Sequence, residues 1–145
     1  MAHPAAFLAK LFPRLFKPAG ATVEPANLRD APQLAQLHRA SFHRGWCTEE
    51  FEQMLIERNT LAHRLRLSGS TVGFIVSRTA ADEAEILSVA VAQKHRGRGL
   101  SRDLLRTHLG HLAGYGLKTV FLEVEENNSP ARALYERAGF VVVGR

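Results

Sequence analysis

The 145-residue chain is poor in cysteine, with Cys47 alone, and it contains one tryptophan and two tyrosines. A single cysteine excludes an intramolecular disulfide framework and leaves no cysteine cluster for zinc, which points to a reducing compartment, the cytoplasm. Of the seven histidines only His108 and His111 share a helical face, and no carboxylate stands near them to complete a site. They read as solvated surface, and no metal is expected. Acidic residues are missing from the first 23 positions, where Lys10, Arg14 and Lys17 are the only charged side chains. Those three account for most of the net charge of +5 and leave 16 basic against 14 acidic residues elsewhere. A nearly balanced remainder argues against direct nucleic-acid binding. No apolar stretch is long enough for a transmembrane helix, and the run before Lys10 is shorter than a signal-peptide core of roughly 7 to 15 residues.

What is present suits one soluble globular domain, since a domain typically holds roughly 100 to 200 residues. The hydrophobic fraction of 46% and charged fraction of 23% fall near ordinary globular usage. Residues 1–20 read as a basic amphipathic extension and 21–145 as the domain proper. In "AAFLAKLFPRLFK" a helix would gather Phe7, Leu8, Leu11, Phe12, Leu15 and Phe16 on one side, kinked at Pro13. Such a helix would either anchor to a membrane surface, the ribosome or a partner, or dock on its own domain.

Beyond Gly20, "TVEPA" reads as a short strand. "NLRDAPQLAQLHRASF" reads as a helix behind an Asp30 cap, with Pro32 in its first turn. "WCTEEFEQMLIER" repeats the pattern with Thr48 as cap. "LAHRLRL" and "TVGFIVSR", joined by "SGS", read as hairpin strands. "ADEAEILSVAV", "KTVFLEV" and "FVVVG" supply further strands, and Leu100, Leu104, Leu105, Leu109 and Leu112 mark a helix among them. The class is α/β: a mixed, mostly antiparallel sheet flanked by helices, with crossover helices in the second half.

The densest chemical signal is "SVAVAQKHRGRGLSRDLL", residues 88–105. Between a strand and a helix stand Arg96, Gly97, Arg98, Gly99, Leu100, Ser101 and Arg102. Successive N–H groups in such a turn, ahead of the positive end of a helix dipole, form an anion site. Glycine lets a ligand approach the amides, and the arginines add attraction. The spacing matches neither G-x-G-x-x-G nor G-x-x-x-x-G-K-[ST], so neither a dinucleotide fold nor a P-loop gains support.

The turn resembles the [RQ]-x-x-G-x-[GA] pyrophosphate loop of the GCN5-related N-acetyltransferase (GNAT) superfamily, with Arg96, Gly99 and Ser101 in its places. Ser101 departs from the usual Gly or Ala. "FLEVEENNSPARALYERAGF", residues 121–140, together with "HRASFHRGWCTEEF", resembles the RimI-like branch, the ribosomal protein alanine N-acetyltransferases. The resemblance extends over most of residues 21–145. It implies acetyl-CoA as co-substrate, with the pyrophosphate on the turn, the pantetheine arm along Val89, Ala90 and Val91, and Asn128 touching that arm. It further implies Glu123 as base and Tyr135 as acid. Phe42 and Trp46 are expected to shape the peptide entrance, with closing the core as the alternative for either.

Elementary chemistry leads to similar roles. An α-amine with a pKa near ~8 must lose a proton before attacking a thioester. Glu123 interrupts an apolar strand, where an ionised side chain is costly to bury without a partner or a function; a salt bridge at a strand end is the alternative. A phenol can protonate a departing thiolate, although the spacing of Tyr135 on its helix equally suits core packing. An oxyanion donor is expected on the backbone at Val89. The family normally continues past "GFVVVG" into a final strand beside the sixth, so the chain is expected to lack that strand and to leave an unpaired edge. The expected activity is acetyl transfer to the N-terminal amine of a ribosomal protein by a cytoplasmic monomer or weak dimer. A lysine or small-amine acetyltransferase and a non-catalytic acyl-CoA-binding module are the alternatives.

Overall fold

The structure, a computed structural model, describes residues 4–10 and 21–144. Seven strands, β1 (Pro4–Lys10), β2 (Thr22–Pro25), β3 (Thr60–Leu67), β4 (Ser70–Ala80), β5 (Glu83–Val91), β6 (Thr119–Glu125) and β7 (Val141–Gly144), form one sheet in the order β2-β3-β4-β5-β6-β1-β7. Four α-helices accompany them: α1 (Ala31–Ser41), α2 (Thr48–Leu55), α3 (Leu100–Gly114) and α4 (Ser129–Arg137). Strands β3 and β4 join through Ser68 and Gly69, whose φ values of 51° and 83° are those of a two-residue turn that follows the twist of the strands. Strands β2 to β5 are antiparallel neighbours, and β5 and β6 are parallel, connected by α3. This is the expected architecture of an antiparallel first half and crossover helices after it.

The helices seal the sheet through two buried clusters. Leu104, Leu105 and Leu112 of α3 meet Leu65, Ile75, Ala84, Ile86, Val120 and Leu122 in one. Leu34 of α1 and Phe51 of α2 meet Phe74, Val76 and Ala90 in the other. Full burial of such side chains stabilises by roughly 1.5–3 kcal/mol each before entropy is counted. Along β5 the alternation changes phase. Ala84 and Ile86 face the α3 cluster and, one residue late, Val89 and Val91 do so again. The register shows why: Val76 opposes Ser88 and Ser77 opposes Ile86, so Leu87 is an extra residue, a β-bulge.

The N-terminal segment departs from the helical expectation. Residues 4–10 are a strand lying between β6 and β7, antiparallel to both, in register with β6 from Pro4↔Glu125 to Lys10↔Thr119. Ala5 and Phe7 are fully buried in the α3 cluster, and Ala6 and Leu8 are half-buried on the other face. A two-residue period was thus hidden inside an apolar run that also satisfies a helical one, and sheet pairing decided between them. Residues 11–20, which carry the rest of the expected amphipathic face, lie outside the described residues. The strand place beside the last strand is taken by β1, so β6 is paired on both sides and the gap expected there is closed.

Three local expectations are also corrected. Asp30 makes no cap bond to α1; it pairs with Arg64 (3.0 Å) and accepts from the Asn27 N–H (2.8 Å). Cys47 rather than Thr48 stands at the N-cap of α2, its N–H bonded to Glu50. His108 is not solvated. It is fully buried, its Nδ1 2.7 Å from His63 Nδ1 and its Nε2 2.6 Å from Ser77 Oγ. Its position four residues from both Leu104 and Leu112 puts it on the apolar stripe of α3.

Candidate active site

The glycine turn sits at the C-terminal end of β5 and leads directly into α3. Gly97 and Gly99 have φ values of +81° and +77°, a region in which a side chain costs roughly 1–2 kcal/mol. From Gly97 to Arg102 no backbone N–H finds a backbone acceptor among the described residues, the first such bond being Asp103 N–H to Gly99 O at 3.1 Å. Six successive donors at the positive end of a helix of 15 residues form a nest suited to a phosphate. A Cβ at Gly97 would meet nothing within 4 Å among the described residues, so the turn is uncovered on that side. Arg98 and Arg102 are exposed beside it. Arg96 instead braces the turn. Its Nε donates to Val91 O at 2.9 Å and its Nη2 to Ser41 Oγ at 3.4 Å, which ties the turn to the ends of β5 and α1.

Ahead of the turn the sheet opens. Strands β5 and β6 pair only from Glu83↔Thr119 to Glu85↔Phe121. Beyond that, Ile86–Val91 and Leu122–Glu125 diverge and leave a wedge whose β5 side carries Val89, Ala90 and Val91. On the same strand Ser88 is 8% exposed and its Oγ has no partner among the described residues, a hydroxyl of the kind that a bound polar group satisfies. Val89 remains paired with Ile75, whereas the bulge at Leu87 frees backbone one residue before Ser88. Neither Leu87 nor Ser88 stood out in the sequence, although a serine inside "ILSVAV" was a visible signal.

Glu123 lies on β6 opposite the α3 cluster, because Val120, Leu122 and Val124 take the inward positions and leave Phe121, Glu123 and Glu125 on the other face. It is exposed rather than buried and has no salt bridge among the described residues. The burial expected from its apolar neighbours is therefore not found, and its carboxylate is open to solvent. Tyr135 is 6% exposed, packed on Phe7 at 6.2 Å and Phe140 at 5.8 Å between ring centroids. Burial pushes its hydroxyl up to about 12, so it stays protonated across neutral pH. Glu123 and Tyr135 make no contact with each other; one lies on the open face and the other belongs to the α3 cluster. Asn128 caps α4, its Oδ1 accepting from Ala131 N–H at 3.3 Å, which leaves its amide N–H groups available.

Phe42 and Trp46 are brought together, but through a third ring. His38 stacks on Phe42 at 4.3 Å and on Trp46 at 4.4 Å, and its Nδ1 accepts from Trp46 N–H at 2.9 Å. Burial lowers the His38 pKa against the attraction of Glu50, which keeps the ring neutral and able to accept. Trp46 also lines an open cleft of about 410 Å³ with Glu50, Gln53, Met54, Arg78 and Leu87. Through Leu87 that cleft reaches the bulge of β5. Among the described residues no group of histidines, cysteines and carboxylates could hold a metal ion.

Residues 31–140 match the Acetyltransferase (GNAT) family. The chain belongs to that family. Among GNAT relatives, the [ribosomal protein bS18]-alanine N-acetyltransferase of Escherichia coli (strain K12) is 29% identical over 119 residues, 82% of this chain and 80% of the relative. The crystal structure of the E. coli ribosomal-protein-S18-alanine N-acetyltransferase superposes with a TM-score of 0.77 at 27% identity, over 82% of this chain and 76% of that one. A GNAT-family protein from Novosphingobium aromaticivorans DSM 12444 superposes with a TM-score of 0.80 at 23% identity, over 99% of this chain and 60% of that one. GNAT acetyltransferases use acetyl-CoA. The chain's own residues fit such a molecule: N–H groups without backbone acceptors among the described residues, suited to a pyrophosphate, an opened strand edge, and on that strand a Ser88 hydroxyl without a partner among the described residues.

Proposed function

We propose that this protein transfers an acetyl group from acetyl-CoA to the N-terminal α-amine of a protein, the acceptor being an alanine N-terminus of a small-subunit ribosomal protein in the cytoplasm. The observation that carries the reading is the wedge between β5 and β6, which opens beside an exposed Glu123 without a salt bridge and ends at six successive N–H groups without a backbone acceptor, both among the described residues.

In this reading the amides from Gly97 to Arg102 hold the pyrophosphate, with Arg98 and Arg102 adding charge. The β6-facing edge of Val89 to Val91, whose other edge pairs with β4, and the Asn128 amide align the arm. Acetyl-CoA supplies a thioester carbonyl that a neutral amine attacks and a thiolate that leaves. Glu123 takes the proton from the substrate ammonium, directly or through water, on the open face where the acceptor arrives. Tyr135, protonated because burial raises its pKa to about 12, gives a proton on the opposite side of the sheet. Such separation suits a base that serves the acceptor and an acid that serves the leaving group. Phe42 and Trp46, fixed by His38, shape the entrance. The protein acts as a monomer or weak dimer.

The test is coenzyme A release with acetyl-CoA and a peptide beginning in alanine, with mass spectrometry locating the acetyl group. The expected product carries it on the α-amine, with Glu123→Gln slowing kcat/KM by about 100-fold or more and Tyr135→Phe by at least about tenfold. Acetyl transfer to a free amine in preference to the peptide would overturn the acceptor, and unchanged rates in both variants would overturn the roles.

A further inference from the structure

The proposed peptide entrance hangs on one side chain that the reaction does not use. His38, near the end of α1, is 3% exposed. Its ring stacks on Phe42 and Trp46, and Phe51 of α2 and Phe74 of β4 enclose it at 5.8 and 6.1 Å. Residues 43–46 belong to no helix or strand. Among the described residues the one hydrogen bond they make is that from the Trp46 N–H to His38 Nδ1, at 2.9 Å. A Cβ at Gly45 would stand 2.5 Å from Arg39 Cγ, so the loop lies tight against α1. Cys47 then gives its N–H to Glu50 and begins α2, and Trp46 and Glu50 line the cleft. The loop that shapes the cleft is thus pinned to the fold by His38.

An imidazole suits that place in one protonation state only. Unprotonated, Nδ1 accepts the Trp46 N–H. Protonated, it becomes a second donor facing the first, and a charge sits where almost no water reaches. Two features favour the charged ring, the aromatic faces of Phe42 and Trp46 and the carboxylate of Glu50, and burial outweighs the latter. Neither restores an acceptor to the Trp46 N–H. The other ionisable groups nearby are Arg39 on α1, His43 and Arg44 in the loop, Cys47 and Glu49 at the start of α2, Arg78 of β4 in the cleft and Arg96, which reaches Ser41. Strand β5 presents only apolar Leu87 and Ala90 to this cluster. We infer that His38 is a positioning residue for the acceptor: its unprotonated Nδ1 holds the loop from Phe42 to Cys47 at the entrance, and acidification releases the loop and weakens peptide binding. The cofactor turn keeps its own brace, Arg96 Nε to Val91 O, and is not released with it. The inference rests on the reading of this entrance as the acceptor's.

The test follows wild type, His38→Phe and His38→Asn from pH 8 to pH 5. Phenylalanine keeps a ring and loses the acceptor, while the asparagine amide oxygen can stand in for Nδ1 and does not ionise. Calorimetry gives the affinity of an alanine-starting peptide for the coenzyme A complex without turnover. Trp46, the only tryptophan, reports on the ring stacked against it, because an imidazolium quenches indole emission. In wild type the peptide dissociation constant should rise about tenfold and the emission fall, with a shared midpoint below 6.5; neither change should occur in the variants. At pH 7.5 His38→Phe should raise the peptide KM about tenfold, as expected for a buried N–H left without an acceptor, with kcat and coenzyme A affinity kept within about twofold. Groups of the cofactor, the peptide and the rest of the site titrate alike in all three proteins, so the difference isolates His38. Absence of the midpoint in wild type, its survival in either variant, or an equal loss of coenzyme A affinity would overturn the inference while leaving N-terminal acetylation standing. If the peptide binds and is not acetylated, the functional reading fails and the same affinities still decide. If no peptide binds at any pH, both fall.

Discussion

The two faces of the sheet carry titratable groups of comparable chemical promise and treat them in opposite ways. On the α3 face Ser77, His108 and His63 are linked through contacts of 2.6 and 2.7 Å, an arrangement that residue type alone would nominate for catalysis. All three are at most 1% exposed, and no substrate reaches them there. On the opposite face Glu123 and Arg78 are exposed and without ion pairs among the described residues, next to a wedge and a cleft. Access, more than residue type, separates a structural polar cluster from a reactive one. Ser77, His108 and His63 on the first face satisfy each other, while Glu123 on the second is left for a ligand; Tyr135, in the first cluster but beside the end of the wedge in the proposed reading, is the exception.

The largest effect is expected from removing the strand that completes both faces. Deleting residues 1–10 would strip β6 and β7 of a shared neighbour and leave two edges open to association. Loss of soluble, cooperatively folding protein is expected by circular dichroism and size-exclusion chromatography. Phe7→Ala is the graded version. A fully buried phenylalanine truncated to alanine typically costs about 3–5 kcal/mol, read as a lower urea midpoint, and here it also removes the ring against which Tyr135 packs. An unchanged midpoint would take β1 out of the sheet.

The sealed face sharpens the contrast through histidine. His108→Ala would leave Ser77 Oγ and His63 Nδ1 unbonded, a loss of about 3 kcal/mol, with kcat/KM kept within about twofold when measured well below the melting temperature, because the residue acts on the fold alone. A large fall in kcat at unchanged stability would contradict the division between faces. The same cluster sets a pH dependence. Burial, then the charge of His111, lowers His63 from 6.5 to about 4, and His108 lies well below its ordinary value chiefly because of burial. The folded protein thus favours neutral rings while the unfolded chain takes up protons below 6.5. Their stabilisation is complete above that pH and is lost as the pH falls toward 4, by about 3 kcal/mol for His63 alone. Urea unfolding at pH 7.5 and 5 should reveal this fall, and His63→Phe should reduce it.

Legibility in the sequence followed how local each cause is. The glycine turn, the β3–β4 hairpin and the helix from Leu100 were readable because composition and short-range spacing determine them. Strand β1 was not, since the partners that make Phe7 an inward strand residue lie more than 100 positions away, at Leu122 and Val142. The bulge at Leu87 escaped notice because an extra residue is defined only against the register of a neighbouring strand. His108 was misread despite a usable signal, its place between Leu104 and Leu112 on the apolar stripe.

The smallest expected effect isolates the turn on the open side. Gly97→Ala adds a Cβ that meets nothing within 4 Å but sits at a φ of +81°, whereas Gly99→Ala adds one 3.0 Å from the Arg102 guanidinium at a φ of +77°. Both should cost roughly 1–2 kcal/mol of backbone strain, and only the second also displaces a side chain flanking the nest. If the amides from Gly97 to Arg102 hold a pyrophosphate, relaxing that strain must turn them away from it. Coenzyme A affinity would then fall in both variants by more than affinity for dephosphorylated pantetheine, which lacks the pyrophosphate. Equal loss for both ligands would mean that the turn braces β5 against α3 and that the anion is held elsewhere. Arg96, already committed to Val91 O and Ser41 Oγ, keeps the ends of β5 and α1 tied in either variant, so the comparison reads the amides themselves.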